Sequence, residues 1–107
     1  MLKSVLTKML ECIKTRNDYV VKGHMDAANR WVSKYEILDE CMFAAGYQTK
    51  METKVINIEG GIFEGLPINF VTKLLINSSK IKDSEIETFR AVGFKYEYDG
   101  AMMAYEF

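Results

Sequence analysis

The sequence predicts an α+β fold in one domain, residues 1–107. An N-terminal antiparallel helix hairpin (1–47) precedes a mixed part (48–107), in which a small antiparallel sheet of three or four strands carries one or two short helices on one side and ends in a C-terminal β-hairpin. Three observations predict it. Apolar residues recur at helical spacing through the first part. The segment 94–107 alternates strictly on both sides of Asp99-Gly100. A chain of 107 residues with 49% hydrophobic and 27% charged content can bury roughly two thirds of its unfolded surface without a metal or disulfide staple.

The first helix is read from Leu2, Val5, Leu6, Met9, Leu10 and Ile13, with Tyr19 and Val20 extending the pattern to a stop at Gly23. Asp26 is a candidate cap for a second helix, in which Ala28, Trp31, Tyr35, Leu38, Met42 and Ala45 alternate steps of three and four before Gly46 ends it. Such a helix spans about 30 Å. With only two or three residues between them, the two helices must fold back on each other. A turn near Gly23 and His24 sets Cys12 level with about Glu36, which leaves Cys41 some 7 Å further along the axis at the helical rise. Two free cysteines, both buried as small apolar side chains, are expected rather than a disulfide.

Met51 to Glu59 is β-branched and partly alternating, a strand closed by Gly60-Gly61. The segment 67–77 fits both periods. Ile68, Val71 and Leu75 suit a helix with Pro67 in its first turn, whereas Ile68, Phe70, Leu74 and Ile76 suit a strand; the position of Pro67 favours the helix. Ser84-Glu85-Ile86-Glu87 has the form of a capping box and opens a short helix through Phe89 and Val92 that Gly93 closes.

The C-terminal hairpin fixes its own register. Asp-Gly is the pair a two-residue type I′ turn wants, because both central positions need φ > 0. That turn sets Tyr98 opposite Ala101, Tyr96 opposite Met103 and Phe94 opposite Tyr105, and gathers the large apolar residues on one face. Phe94, Tyr96, Met103, Tyr105 and Phe107 are expected to be buried, with Lys95, Glu97 and Glu106 facing water.

Composition excludes several functions. The net charge is −1 and it is balanced along the chain, so neither part is a basic footprint for nucleic acid or an anionic membrane. No stretch approaches a membrane span, and the lysine-interrupted start Met1-Leu-Lys-Ser-Val-Leu-Thr-Lys lacks the run of a signal peptide. A cytoplasmic protein is expected. His24 is the only histidine, too few for a structural zinc site, and it reads as an exposed turn residue. Neither cysteine has a basic partner placed by spacing. Gly60-Gly61-Ile-Phe-Glu-Gly65 follows a strand but lacks the spacing of a phosphate-binding loop. These residues predict no catalytic group, no metal and no cofactor, and hence no enzyme.

The passage Phe89-Arg-Ala-Val-Gly-Phe-Lys-Tyr-Glu-Tyr-Asp-Gly resembles the helix-to-strand passage near the end of certain acetyltransferases and inside vicinal-oxygen-chelate modules. The pyrophosphate loop of the former and the His and Glu ligands of the latter are missing, so the likeness is one of supersecondary structure rather than of membership. A winged helix is the alternative reading: helices at 67–77 and 84–92 followed by a two-stranded wing, the element 84–107 contacting nucleic acid. Asp83, Glu85 and Glu87 on its recognition helix oppose phosphate contact, so nucleic-acid binding is not expected.

What remains is binding to protein. Arg30, Trp31, Lys34 and Tyr35 mix amphipathic aromatics with cations, the composition of interface hot spots, and Phe43 joins Ile37, Cys41 and Ala44 as apolar surface beside the seam of the second helix. One helical partner cannot cover that whole circumference. The expectation is a small non-enzymatic accessory or regulatory protein with an unidentified protein partner, forming a homodimer through its hairpin, of the size and kind of phage or mobile-element inhibitors and adaptors. Arg30, Trp31, Lys34, Tyr35 and Phe43 are its candidate binding residues.

Overall fold

The computed structural model describes residues 1–57, 69–77, 82–97 and 102–107. In chain order the elements are α1 (Leu2–Val21), α2 (Met25–Ala44), β1 (Gln48–Asn57), β2 (Asn69–Asn77), α3 (Asp83–Val92), β3 (Lys95–Glu97) and β4 (Met102–Glu106). The strands form an antiparallel sheet in the order β1-β2-β4-β3. The architecture is α+β, as the sequence predicts.

The helix hairpin turns where glycine permits it. Gly23 has φ 77° and Gly46 has φ 96°, and each lets the chain leave a helix C-terminus through a conformation other residues avoid. The N-cap of α2 is His24, with no side-chain cap hydrogen bond. Asp26 therefore lies one residue inside the first turn, where its charge faces the positive end of the helix, and is not the cap. The same correction applies to α3: its N-cap is Lys82 in an extended conformation, so Ser84 sits inside the helix and the capping box does not form.

The segment read as a helix from Pro67 is the strand β2. It pairs with β1 from Gln48↔Asn77 through Val55↔Phe70 and with β4 from Lys73↔Glu106 through Asn77↔Met102, and a strand with neighbours on both sides can be apolar on both faces. Thr72, Leu74 and Ile76 point into the core while Leu75 is buried on the opposite face. With a strand at 69–77, the helix pair that the winged-helix reading needs is not formed. β1 begins at Gln48, three residues before the expected start. Gly60-Gly61, Gly65-Leu66-Pro67 and the Asp99-Gly100 turn lie outside the described residues.

Both helices of the hairpin and α3 serve one core. Leu6, Met9 and Ile13 of α1, Met42 of α2 and Tyr47 after it meet Leu74, Ile76, Met103, Phe89 and Phe94. Aromatic rings tie α3 to the last strand. Phe89 and Phe94 pack edge to face at 5.3 Å and 82°, and Phe94 lies 5.5 Å from Tyr105, whose ring is 4.8 Å from Phe107.

The hairpin register is as expected: Tyr96 pairs with Met103. Its burial is not uniform. Phe94 and Met103 are buried and Tyr105 and Phe107 half-buried, but Tyr96 is 42% exposed. β3 is the sheet edge, beyond the cover of α1 and α2, and the Tyr96 ring there stacks under the Arg90 guanidinium, 4.9 Å from its centroid. Among the described residues, the far face of the sheet carries no helix. There Leu75 and Ala104 are buried beneath long charged side chains, among them Lys73 and Glu97, which reach across β4 to within 3.5 Å of each other.

Candidate functional site

The helical wheel of α2 divides the five candidate residues. Ala28, Trp31, Tyr35, Leu38 and Met42 form the side turned to the rest of the fold, with Ala28 and Met42 buried and the other three half-buried. Burial pushes the Tyr35 hydroxyl pKa up, partly offset by the nearby Thr49 hydroxyl. Thr49 in turn donates to the Asp39 carboxylate. Burial, with Glu36 and Glu40 nearby, raises the pKa of Asp39.

Trp31, Lys34 and Tyr35 are brought together. The Lys34 ammonium stands 4.0 Å from the Trp31 ring centroid, a cation–π contact on the rim of the core. Arg30 is not part of that group; it lines a shallow hollow at the α1–α2 turn together with Gly23, His24 and Asp26. Phe43 stands apart as well, three turns further along and 73% exposed. The five residues are not one patch.

A different surface emerges near the C-terminal end of α2. Ile37 is 64% exposed, and Cys41 and Ala44 are exposed beside it at spacings of four and three, one stripe along the helix; the exposed Phe43 lies about a third of a turn away from Ile37. Cys41 is thus a surface thiol, contrary to the expectation that both cysteines are buried: it lies about a sixth of a turn from Leu38, just past the edge of the side of α2 that the core covers. Cys12 is buried, and burial followed by the charge of Glu11 pushes its pKa up, which keeps the thiol protonated and inert. By contrast, Lys3, Lys8, Glu11, Lys14 and Asp18 make the exposed side of α1 polar.

A second feature is not evident from the spacing of α2. Between α1, α2 and β1 lies a cleft of about 170 Å³, lined by Cys12, Arg16, Trp31, Tyr35, Glu36 and Met51 among others. Cys12 and Glu36 meet in it, as the hairpin register implies. Arg16 is half-buried there, its pKa lowered by burial; its Nη2 donates to the Met51 sulfur at 3.2 Å and its buried Nε has no hydrogen-bond partner among the described residues. Next to it, Asn17 donates to Thr72 Oγ1 at 3.1 Å while its own buried Oδ1 is unpaired. A signal was present. Met9, Cys12, Ile13 and Arg16 follow the spacing of the apolar stripe, and an arginine in that position requires a reason.

Among the described residues, no group of three or more His, Cys, Asp or Glu side chains could hold a metal ion, and no helix is long and apolar enough to cross a membrane. Comparison with models of known protein families, with curated proteins and with solved structures returns no match.

Proposed function

We propose that this chain is a non-enzymatic accessory or regulatory protein that works by binding protein through the outer side of α2. The observation that carries this reading is the exposure of Ile37 and Phe43, 64% and 73%, on a helix whose opposite side is already fully used by the core. Large exposed apolar side chains, here flanking the outer side of α2 about a third of a turn apart, favour association, because covering them removes apolar area from water. The occupant we favour is a second copy, two hairpins making a four-helix arrangement. An antiparallel pairing of two α2 helices centred on Ile37 sets Lys34 level with Glu40 of the partner subunit, and a two-fold axis makes that match twice.

Light scattering at micromolar concentration tests the proposal. A dimer mass that reverts to monomer in Ile37→Ser and Phe43→Ser, both variants retaining the fold, supports self-association. If the unaltered chain is a monomer, the occupant is a different protein, and Ile37→Ser must then abolish its capture by the immobilised chain. A dimer that is indifferent to both substitutions overturns the assignment to this face.

A further inference from the structure

Arg16 is half-buried, with the Nε of its guanidinium shielded from water, at the wall of a cleft. Among the described residues it has no carboxylate within salt-bridge distance. Its Nη2 gives one of its two hydrogens to a thioether, a weak acceptor, and its Nε, shielded from water, has no partner among the described residues. Those two nitrogens form one edge of the planar group, the edge that a carboxylate engages side-on through two parallel hydrogen bonds. An arginine buried only to support the fold would be expected to have its donors taken.

We infer that the cleft between α1, α2 and β1 is a binding site for a small monocarboxylate with an apolar body, its carboxylate held by the Nε/Nη2 edge of Arg16. The size of the occupant follows from the cleft. About 170 Å³ is available, and an apolar cavity of roughly 150 Å³ accommodates a benzene ring. Trp31 and Tyr35 supply aromatic wall, and Cys12, Ile13 and Met51 supply aliphatic and sulfur contacts. Glu36 lines the cleft as an exposed residue, so water screens its repulsion of the anion while Arg16 acts in a drier setting. Met51 gives up only a weak hydrogen bond when the carboxylate takes its place. This site is distinct from the outer side of α2 and stands whether or not that face binds protein.

Benzoate is the probe, and benzamide, of the same shape without the charge, is its control. Trp31 is the only tryptophan, so its emission reports on the cleft directly. Benzoate is expected to change that emission saturably with a dissociation constant of roughly 1 mM or tighter, and to shift the Arg16 Nε–H resonance, while benzamide does neither. Arg16→Gln should weaken benzoate at least tenfold. No saturation by about 20 mM, an equal response to benzamide, or an undiminished response in Arg16→Gln overturns the site. Should Arg16→Gln fail to fold, the comparison of benzoate with benzamide on the unaltered chain decides, since only a charge-recognising site separates them.

Discussion

Gly93 lies beneath the ring of Tyr105. A Cβ placed on it would come within 2.9 Å of Tyr105 Cε2, and its φ of 117° is one that side chains other than hydrogen seldom allow. The glycine ends α3 and lets Phe94 turn directly into the core, with the Phe94 amide donating to the Phe89 carbonyl at 2.9 Å. Alanine there meets a steric and a conformational obstacle together, so Gly93→Ala should destabilise the fold by about 2–3 kcal/mol. Gly46→Ala provides the comparison, since Gly46 shares the positive φ but has nothing within 4 Å of its Cβ position. Its loss should be about 1 kcal/mol. Urea denaturation of both variants checks the difference; equal losses would remove Tyr105 from the account.

The two sides of α2 should respond differently to truncation. Met42 is 2% exposed and belongs to the core cluster, so Met42→Ala should cost about 2–4 kcal/mol. Ile37→Ala, measured at a concentration where the chain is a monomer, should stay within about 0.5 kcal/mol of the parent. A large loss for Ile37 in the monomer would mean that the outer side of α2 is covered within one chain.

Tyr47 donates its hydroxyl to Glu85 of α3, and burial, followed by the bond to Glu85 and the charge of Glu85, raises its pKa. Burial also raises Tyr35. The folded state therefore holds these protons more tightly than the unfolded chain does. That contribution is complete below the tyrosine's ordinary pKa of about 10 and is lost as pH climbs above it. Stability should fall through the alkaline range, and absorbance titration should show these two hydroxyls ionising above the ordinary tyrosine range. Tyr47→Phe should flatten that alkaline fall and, by removing one partner of the Glu85 hydrogen bond, cost about 1 kcal/mol at neutral pH.

Asp39 works in the opposite sense. Burial first, then Glu36 and Glu40, raise its carboxyl pKa. The charged form is thus disfavoured by folding, and the penalty present at neutral pH is relieved as pH falls through the raised value. A side-chain amide in its place would still accept from the Thr49 hydroxyl, without the charge. Asp39→Asn is expected to leave neutral stability unchanged or raised and to reduce its variation in the mildly acidic range, as thermal melts at a series of pH values will show.

What the sequence revealed of this fold was the part held by local pattern. The stripes of α1 and α2, the stops at Gly23, Gly46 and Gly93, and the pairing of Tyr96 with Met103 depend on neighbours within a few turns or one hairpin. The identity of β2 does not. Phe70 to Ile76 is apolar enough to satisfy either period, and the decision belongs to β1 and β4, one on each side of it in the sheet. The candidate surfaces divide in the same way. Trp31 and Tyr35 stand out by their chemistry, yet α1 and β1 cover that side of α2 and leave Ile37 and Phe43 to solvent, a choice that no spacing within the helix encodes. Arg16 was legible only as a break in an apolar stripe, and its meaning depends on Met51, brought beside it from β1.

That break leads to the last prediction. A guanidinium whose Nε is buried without a partner costs the folded state its hydration and recovers little from a thioether at 3.2 Å. Methionine keeps the length and the apolar stem of Arg16 and discards the charge, so Arg16→Met should leave the protein as stable as before or raise its stability by about 1 kcal/mol. Denaturation in urea measures this without reference to any ligand. A gain is what a residue retained for binding should give, since stability is then surrendered for a poised donor edge. A loss of about 2 kcal/mol or more would show instead that Arg16 supports the packing of α1 on β1, and that its unbonded nitrogen is tolerated for structural reasons.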